Sequence, residues 1–264
     1  MNPAWRLSRV ALIAGVLIGI VIGAYFYVMR PLFHFDEHAL PQMVTANVVD
    51  PKRVYLVSRF RSGAGHDYSN TWDGETCRSM KHYMNVSNSM NEEHMPMRSE
   101  PTASDPNIDI YAPFDGWITA NDTEHTPIGR QVHVQSEQYP SYVMRIFHVD
   151  LLPSLAVRSH VRSGERIATI GPRDGTDISL EATVFPFRNA NISYFAAMTD
   201  VAFAPWAKMG YKRNDFIITR AYRDAHPLAC TQERFERPAG YDWREDYLAV
   251  RPNPYRVNEP DRRP

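Results

Sequence analysis

Four polar side chains have the types and the spacing of a metal-assisted hydrolytic site. His148 ends a strongly apolar segment, and Asp177 and Glu181 stand at even spacing in a later one, so both point to one face of a strand. His82 stands just before a long polar stretch. A catalytic zinc needs three protein ligands and an open position, and imidazole and carboxylate are its usual donors. We therefore expect a pocket that contains His148, with His82, Asp177 and Glu181 as candidate metal ligands.

Three further residues are candidates for the same pocket. His66 and Asp67 lie in a loop that is rich in glycine, and Ser179 lies between the two carboxylates. Adjacent residues in a strand face opposite sides, but a loop can bring both members of a His-Asp pair to one site. The alternative for each histidine is structural, because a surface histidine commonly does no more than hydrogen-bond a loop carbonyl.

Composition and motifs exclude several other kinds of chemistry. Basic residues number 29 and acidic residues 30, for a formal net charge of −1. Such a balance gives no electrostatic footprint for DNA or RNA. The sequence also has no Gly-x-Ser-x-Gly nucleophile elbow, no phosphate-binding Gly-Lys-Ser/Thr loop and no Gly-x-Gly-x-x-Gly fingerprint.

The elements that must position these residues are mainly strands. Residues 108–118 and 157–171 each read as a short apolar strand, a turn at Asp-Gly or Ser-Gly, and a second apolar strand. Residues 131–135 and 142–149 lie between them and alternate apolar and polar side chains. Four or more strands at this spacing predict a small β-barrel or β-sandwich, followed by short helices after about residue 190.

The N-terminus predicts a membrane anchor. Residues 10–29 carry no charge, which matches the roughly 20 residues that a membrane-spanning helix needs. Arg6 and Arg9 precede this run, so the positive-inside rule places residues 1–9 in the cytoplasm and the rest of the chain outside it. The expected location is the inner membrane, single-pass, with a periplasmic or extracellular domain. Gly15, Gly19 and Gly23 lie on one face of the predicted helix and would permit a homodimer of anchors. The alternative is that glycine is simply frequent in membrane helices.

Beyond the anchor we expect a linker at 30–50, a β-domain at 51–235 and a loose tail at 236–264. A polar stretch at 85–107 without steady periodicity predicts a surface loop that could cover the pocket. Cys77 and Cys230 both fall on the predicted outer side, where two thiols tend to form a disulfide. Two buried free thiols are the alternative.

Three segments together resemble a known family. Residues 110–118 (IYAPFDGWI), 145–149 (RIFHV) and 161–171 (VRSGERIATIG) follow the motif order of the lysostaphin-type, LytM-like peptidoglycan endopeptidases. The resemblance implies a β-fold with a duplicated hybrid motif and a zinc-dependent amidase of cell-wall turnover. His148 then matches the family's catalytic histidine, and Asp177 and Ser179 stand where the family has a closing pair of histidines.

The chain departs from that family at the zinc ligands. His82 is the nearest candidate for the first ligand of the His-x-x-x-Asp pair, and position 86 is Val86 rather than aspartate. We therefore expect a degenerate, non-catalytic member without a cofactor, which binds a glycan, peptide or protein of the cell envelope. A divergent zinc endopeptidase is the first alternative. The second is a membrane-fusion-type transport adaptor, since such adaptors share the half-motifs and a single anchor, but the sequence has no heptad hairpin for their coiled coil.

Overall fold

The chain folds mainly into β-structure around one large sheet. The computed structural model describes residues 3–29, 39–69, 74–86, 108–124, 129–170, 175–184, 188–237 and 240–250. Within these ranges thirteen strands form an eleven-stranded sheet and a two-stranded one, with three α-helices. The predicted mainly-β class with short C-terminal helices is confirmed. Most of the predicted loop at 85–107 lies outside the described residues.

The N-terminal helix covers the predicted anchor. It runs over α1 (Pro3–Met29), and its side chains are described from residue 12 to residue 25. Among the residues that the structure describes, no helix combines the length and the apolar character that a membrane crossing requires. The membrane span at 10–29 stays a prediction.

The large sheet is antiparallel and places β9 near its centre. Its main path runs β13-β1-β2-β9-β6-β5-β4-β7, β10 pairs with β9, and β8 pairs with β3 and β6. The separate hairpin is β11-β12. The strands are β1 (Leu56–Ser58), β2 (His82–Asn85), β3 (Asp109–Tyr111), β4 (Gly116–Thr123), β5 (Arg130–Ser136), β6 (Tyr142–Leu151), β7 (His160–Val161), β8 (Arg166–Thr169), β9 (Gly175–Val184), β10 (Arg188–Ile192), β11 (Ala229–Thr231), β12 (Arg234–Glu236) and β13 (Tyr247–Ala249).

The core lies on one face of this sheet and follows from the alternation in the sequence. Strands β5, β6 and β9 each direct every second side chain inward, because successive residues of a strand point to opposite faces. The inward side chains are aliphatic and fully buried: Val132, Val134, Met144, Ile146, Ile178 and Leu180. Strand β9 is buried on its other face as well. A second layer of chain must therefore cover that polar face.

The two half-motifs of the sequence pair with each other. Strand β3 pairs with β8 and β4 pairs with β7, both antiparallel. The two turns also meet, because the Asp115 carboxylate accepts the Ser163 amide N–H at 2.7 Å. Gly164 has the positive φ (76°) expected of a turn glycine. Glycine is required at Gly116 for a steric reason instead, because a Cβ there would lie 2.1 Å from the Gln135 carbonyl oxygen.

Two segments outside the predicted β-domain take part in it. Residues 39–50, predicted as a linker, bury Val44, Val48 and Val49 in the core, and the Val44 amide donates to the Ala197 carbonyl at 2.9 Å. Residues 247–249, predicted as part of a loose tail, form β13 and pair with β1. Both segments are short, so their few apolar residues produce no period that a sequence pattern reveals.

The C-terminal helices close the end of the core. Helix α2 (Asp200–Lys208) begins at the N-cap Thr199, whose hydroxyl accepts the Ala202 amide. Helix α3 (Arg220–Ala225) begins at the N-cap Thr219. Three single-turn 3-10 helices complete the described elements: Pro51–Arg53, Arg213–Phe216 and Trp243–Glu245. An aromatic cluster joins α2 to the sheet, with Phe195 stacked on Phe216 at 3.7 Å between ring centroids.

A disulfide joins the segment that precedes β2 to the β11-β12 hairpin. Cys77 and Cys230 are bonded, with their Cα atoms 5.7 Å apart across 153 positions of sequence. Cys230 lies in β11, and the backbone N–H of Asp67 also donates to the Glu233 carbonyl in the turn of that hairpin, at 2.7 Å. The bridge therefore closes a long loop of chain beside the polar face of the sheet.

We predict that removal of this bridge lowers the free energy of unfolding by about 4–5 kcal/mol, the value that chain entropy gives for closing so long a loop. Urea unfolding of the wild type with and without reductant measures it, and Cys77→Ser/Cys230→Ser should match the reduced wild type. An unchanged transition midpoint under reducing conditions would contradict the prediction.

Candidate functional site

The polar face of β9 carries the predicted site carboxylates. Asp177, Ser179 and Glu181 alternate with the core residues of β9 and point away from the core, and all three are buried. The described parts of the segment that precedes β2, residues 61–69 and 74–81 (the covering segment), contact these carboxylates through Tyr68 and Lys81. Burial of so many polar groups is costly unless each one has a partner. The site is therefore defined by the partners that the covering segment and the neighbouring strands supply.

A buried ionic cluster holds the covering segment in place. The Arg61 guanidinium makes two bonds to the Glu75 carboxylate, at 2.6 and 2.8 Å, and Arg78 donates to the same carboxylate at 2.8 Å. Burial by itself raises the pKa of Glu75, but these two guanidinium groups outweigh it and the pKa lies below its ordinary value. Gly65 adds a steric constraint, because it has a positive φ and a Cβ there would meet the Tyr83 ring at 2.1 Å.

His148 reaches the site because the backbone of β6 is bulged. The β5-β6 register advances two residues on β5, from Arg130 to Val132, against three on β6, from Ile146 to Val149. His148 has φ 60°, in the left-handed region that few side chains adopt. Glu124 fixes this conformation by accepting the backbone N–H of His148 at 2.8 Å and lying 2.7 Å from its Nδ1. The other ring nitrogen, Nε2, lies 3.3 Å from Asp177 Oδ2.

Lys81 places an ammonium group beside the same carboxylate. Its Nζ lies 3.6 Å from Asp177 Oδ2, and the side chain is almost fully buried. Two aromatic faces enclose it, with the Phe147 centroid at 3.8 Å and the Tyr68 centroid at 4.2 Å. These are favourable cation–π distances. Lys81 Nζ also lies 3.4 Å from His66 Nε2, which accepts while Nδ1 of His66 donates to the Asp67 carbonyl at 2.9 Å.

The pKa directions fit a carboxylate held between two cations. Burial raises the pKa of Asp177, but the hydrogen bond from His148 and the charge of Lys81 outweigh it, and the pKa is lowered. Burial lowers the pKa of His148, but Asp177 and then Glu124 outweigh it, and the pKa is raised. For Lys81 burial dominates, so its pKa is lowered even though Asp177 and Glu124 oppose that effect.

Glu181 forms a second, separate cluster on the same strand. The Tyr68 hydroxyl donates to Glu181 Oε1 at 2.8 Å, and Arg145 Nε lies 3.3 Å from the same oxygen. Arg145 Nη1 donates to the Tyr68 oxygen at 3.2 Å, and Asn189 donates to Glu181 Oε2 at 3.2 Å. Burial, and then the charge of Glu181, raise the pKa of Tyr68. Both carboxylates of β9 are thus engaged by the protein itself.

The structure brings some of the predicted site residues together and separates others. His148, Asp177 and His66 surround Lys81, but His82 lies on the opposite face, since it pairs with the core residue Ile178. Both of its ring nitrogens have partners there: Nδ1 donates to the Ser58 carbonyl at 2.9 Å and Nε2 accepts from Ser193 at 3.0 Å. Burial lowers the pKa of His82 to about 4, so the ring is neutral. His82 therefore lies on the core face, apart from His148, Asp177 and His66.

Asp67 and Ser179 have structural positions within the site region. The Asp67 carboxylate accepts the amide N–H groups of Ser69 and Arg78, each at 3.1 Å, and so shapes the covering loop. Ser179 is buried beside Asn191, with 3.5 Å between their side-chain oxygens.

Four residues of the site were not found from the sequence: Glu124, Lys81, Tyr68 and Arg145. Arg145 had a usable signal, because it alternates with the core residues of β6 and must share a face with the polar residues of β9. Lys81 had an ambiguous one, since it stands next to His82 and only the register of β2 decides which of them faces Asp177. Tyr68 and Glu124 gave no sequence signal, because only the fold of the loops places them beside Glu181 and His148.

The donor set around Lys81 does not fit a divalent cation. Asp177 already contacts two basic groups, and a metal ion placed among Asp177, His148 and His66 would meet the Lys81 ammonium at short range. Over the described ranges, no group of three or more His, Cys, Asp and Glu side chains is arranged to hold a metal ion. Glu181 is occupied by Tyr68 and Arg145 in the neighbouring cluster.

The fold is similar to several solved structures. No family model and no curated protein matches the chain. The solution structure of lysostaphin is 13% identical with a TM-score of 0.30, over 52% of each chain, so this chain spans about half the length of lysostaphin. The structure of the SpoIIQ-SpoIIIAH pore-forming complex is 12% identical with a TM-score of 0.37, and the match covers 63% of this chain and 96% of that one. The structure of Helicobacter pylori Csd3 is 12% identical with a TM-score of 0.35, and the match covers 63% of this chain and 39% of that one. These similarities concern the fold and say nothing of an activity.

We predict that His148 makes the fold more stable at acidic than at alkaline pH. Its folded-state pKa lies above the ordinary 6.5, so the stabilisation by Glu124 and Asp177 is complete below that value and is lost as the pH rises through the folded-state pKa. Urea unfolding at about pH 5.5 and about pH 9 should show this loss in the wild type. In His148→Asn, which tolerates the same φ, the loss should be smaller. An identical pH dependence in both proteins would contradict the assignment.

Proposed function

We propose that this protein is a membrane-anchored, extracytoplasmic binding protein whose peptidase-like β-domain does not catalyse. The observation that carries the proposal is the neutralisation of Asp177 by Lys81 and His148 within a buried cluster. A hydrolytic zinc site needs carboxylate and imidazole donors that are available to the metal and a position open to water. Here the donors of β9 serve ion pairs inside the protein. The domain would then act by recognising a cell-envelope glycan, peptide or protein rather than by hydrolysing one.

The proposed location rests on the N-terminal segment and on the disulfide. Residues 10–29 carry no charge, and Arg6 and Arg9 lie on the side that would stay in the cytoplasm. The Cys77–Cys230 bridge supports an outward-facing domain, because disulfides persist in oxidising compartments. Gly15, Gly19 and Gly23 would allow two anchors to pack closely as a homodimer.

A fusion experiment tests the proposed topology. In a bacterial host, alkaline phosphatase joined after residue 264 should be active, because that enzyme needs the disulfides that form outside the cytoplasm. β-Galactosidase joined at the same position should be inactive. The reverse pair of results would place the domain in the cytoplasm and overturn the proposal.

Zinc binding tests the non-catalytic assignment. The full-length protein in detergent micelles, dialysed against zinc chloride, should retain well under one zinc per chain, because the Lys81 ammonium and a dication repel each other at this range. Asp177→Asn should leave that low value unchanged. The control is Asp200→Asn, which alters an exposed carboxylate of α2. One zinc per chain in the wild type, lost in Asp177→Asn and kept in Asp200→Asn, would support a zinc enzyme and contradict the proposal.

A further inference from the structure

Lys81 and Asp177 bring an amine and an acyl group into contact inside the protein. Lys81 Nζ lies 3.6 Å from Asp177 Oδ2, and the acyl carbon Cγ is one covalent bond beyond that oxygen. Lys81 directly precedes β2, and Asp177 lies in β9, which pairs with β2, so the backbone of the sheet holds the two groups in place. Reacting groups that are held in contact combine far faster than the same groups do in free solution.

Burial favours a neutral amide of these two groups over the separate charges. The side chains of Lys81 and Asp177 are 4% and 9% exposed. Keeping an ammonium and a carboxylate away from water is costly, whereas an amide carries no charge. The ring centroids of Phe147 and Tyr68 lie 3.8 and 4.2 Å from Lys81 Nζ. Burial also lowers the pKa of Lys81, which favours the neutral amine that can act as a nucleophile.

Two histidines stand where the proton transfers of such a condensation are needed. His66 Nε2 lies 3.4 Å from Lys81 Nζ and is the accepting nitrogen of that ring, because Nδ1 donates to the Asp67 carbonyl. His148 Nε2 lies 3.3 Å from Asp177 Oδ2 and donates to it when the ring is protonated. The amine therefore has a base beside it, and the carboxylate has an acid.

From this arrangement we propose that Lys81 and Asp177 condense to an intramolecular isopeptide bond, which links the covering segment to β9. The ion pair is the reactant state. His66 takes one proton from the ammonium, and Nζ attacks Cγ. The Nζ–Cγ bond forms, the Cγ–Oδ2 bond breaks, and the oxygen leaves as water with one proton from His148 and one from Nζ. No oxidant or other reactant is required.

The product satisfies the polar groups of the new bond. Its N–H can donate to His66 and its carbonyl oxygen can accept from His148, once solvent has restored the protonation of both rings. Those two side chains are 41% and 23% exposed, so solvent reaches them. The bond goes beyond the proposed function, since it constrains the chain between positions 81 and 177 whatever the redox state of the disulfide.

Intact mass spectrometry of the full-length protein tests the proposal directly. After purification in detergent micelles and reduction of the disulfide, the chain should be lighter than its sequence mass by one water molecule. Digestion with trypsin should give one branched peptide that joins residues 79–98 to residues 174–188, because an acylated Lys81 is not cleaved. A reduced chain at its full sequence mass would overturn the bond and would leave the ion pair of the proposed function in place.

A pair of variants with identical composition assigns the lost water to Lys81. Lys81→Arg and Lys208→Arg have the same calculated mass, and Lys208 is an exposed residue of α2. Lys208→Arg should lose the water and Lys81→Arg should not, so their measured masses should differ by one water molecule. Equal masses, with the water lost in both, would assign the loss to a succinimide at an Asp-Gly pair and overturn the proposal. Neither measurement requires that the Lys81 variant fold.

The rate of bond formation tests the part that His66 plays. In samples taken after a short pulse of expression, His66→Ala should form the bond about 100-fold more slowly than the wild type, the usual effect of losing a general base. Added imidazole should restore part of that rate, which a merely structural role of His66 would not allow. Formation at the wild-type rate in His66→Ala would overturn this role.

Discussion

The ion pairing of one buried carboxylate organises this protein's candidate site. Asp177 lies on the polar face of the central strand with Lys81 Nζ at 3.6 Å and His148 Nε2 at 3.3 Å. An unpaired buried charge costs several kcal/mol, so loss of either partner should destabilise the fold. The aromatic rings around Lys81, the bulge that turns His148 inward and Glu124 behind it all serve to hold those partners.

The same requirement accounts for the construction of the covering segment. The described parts of this segment, residues 61–69 and 74–81, are fixed by the buried cluster at Glu75, the disulfide at Cys77 and the close approach at Gly65. Each of these restraints lies outside the ion pairs themselves. Together they reduce the freedom of a segment that has little apolar surface of its own to bury.

The sequence predicts the β-architecture well because its signals are periodic and local. The paired half-motifs at 108–118 and 157–171, and the alternation in β5, β6 and β9, indicate strands and a core face. The site is harder, since the choice between Lys81 and His82 depends on a one-residue register and exchanges the two faces of β2. The bulge that brings His148 to Asp177 breaks the alternation, so the pattern alone cannot orient that ring. The buried stretch at 39–50 escaped prediction because its backbone is irregular.

A double-mutant cycle between Lys81 and Asp177 tests the central claim most directly. Lys81→Met removes one of the two cations beside the buried Asp177, and Asp177→Asn leaves the buried Lys81 ammonium without its nearest carboxylate, so each should lower the free energy of unfolding by about 3–5 kcal/mol. The double variant leaves neither charge, and its loss should fall short of the sum by at least about 1.5 kcal/mol. Losses that add to within about 0.5 kcal/mol would show that the two residues do not depend on each other, and would contradict the account.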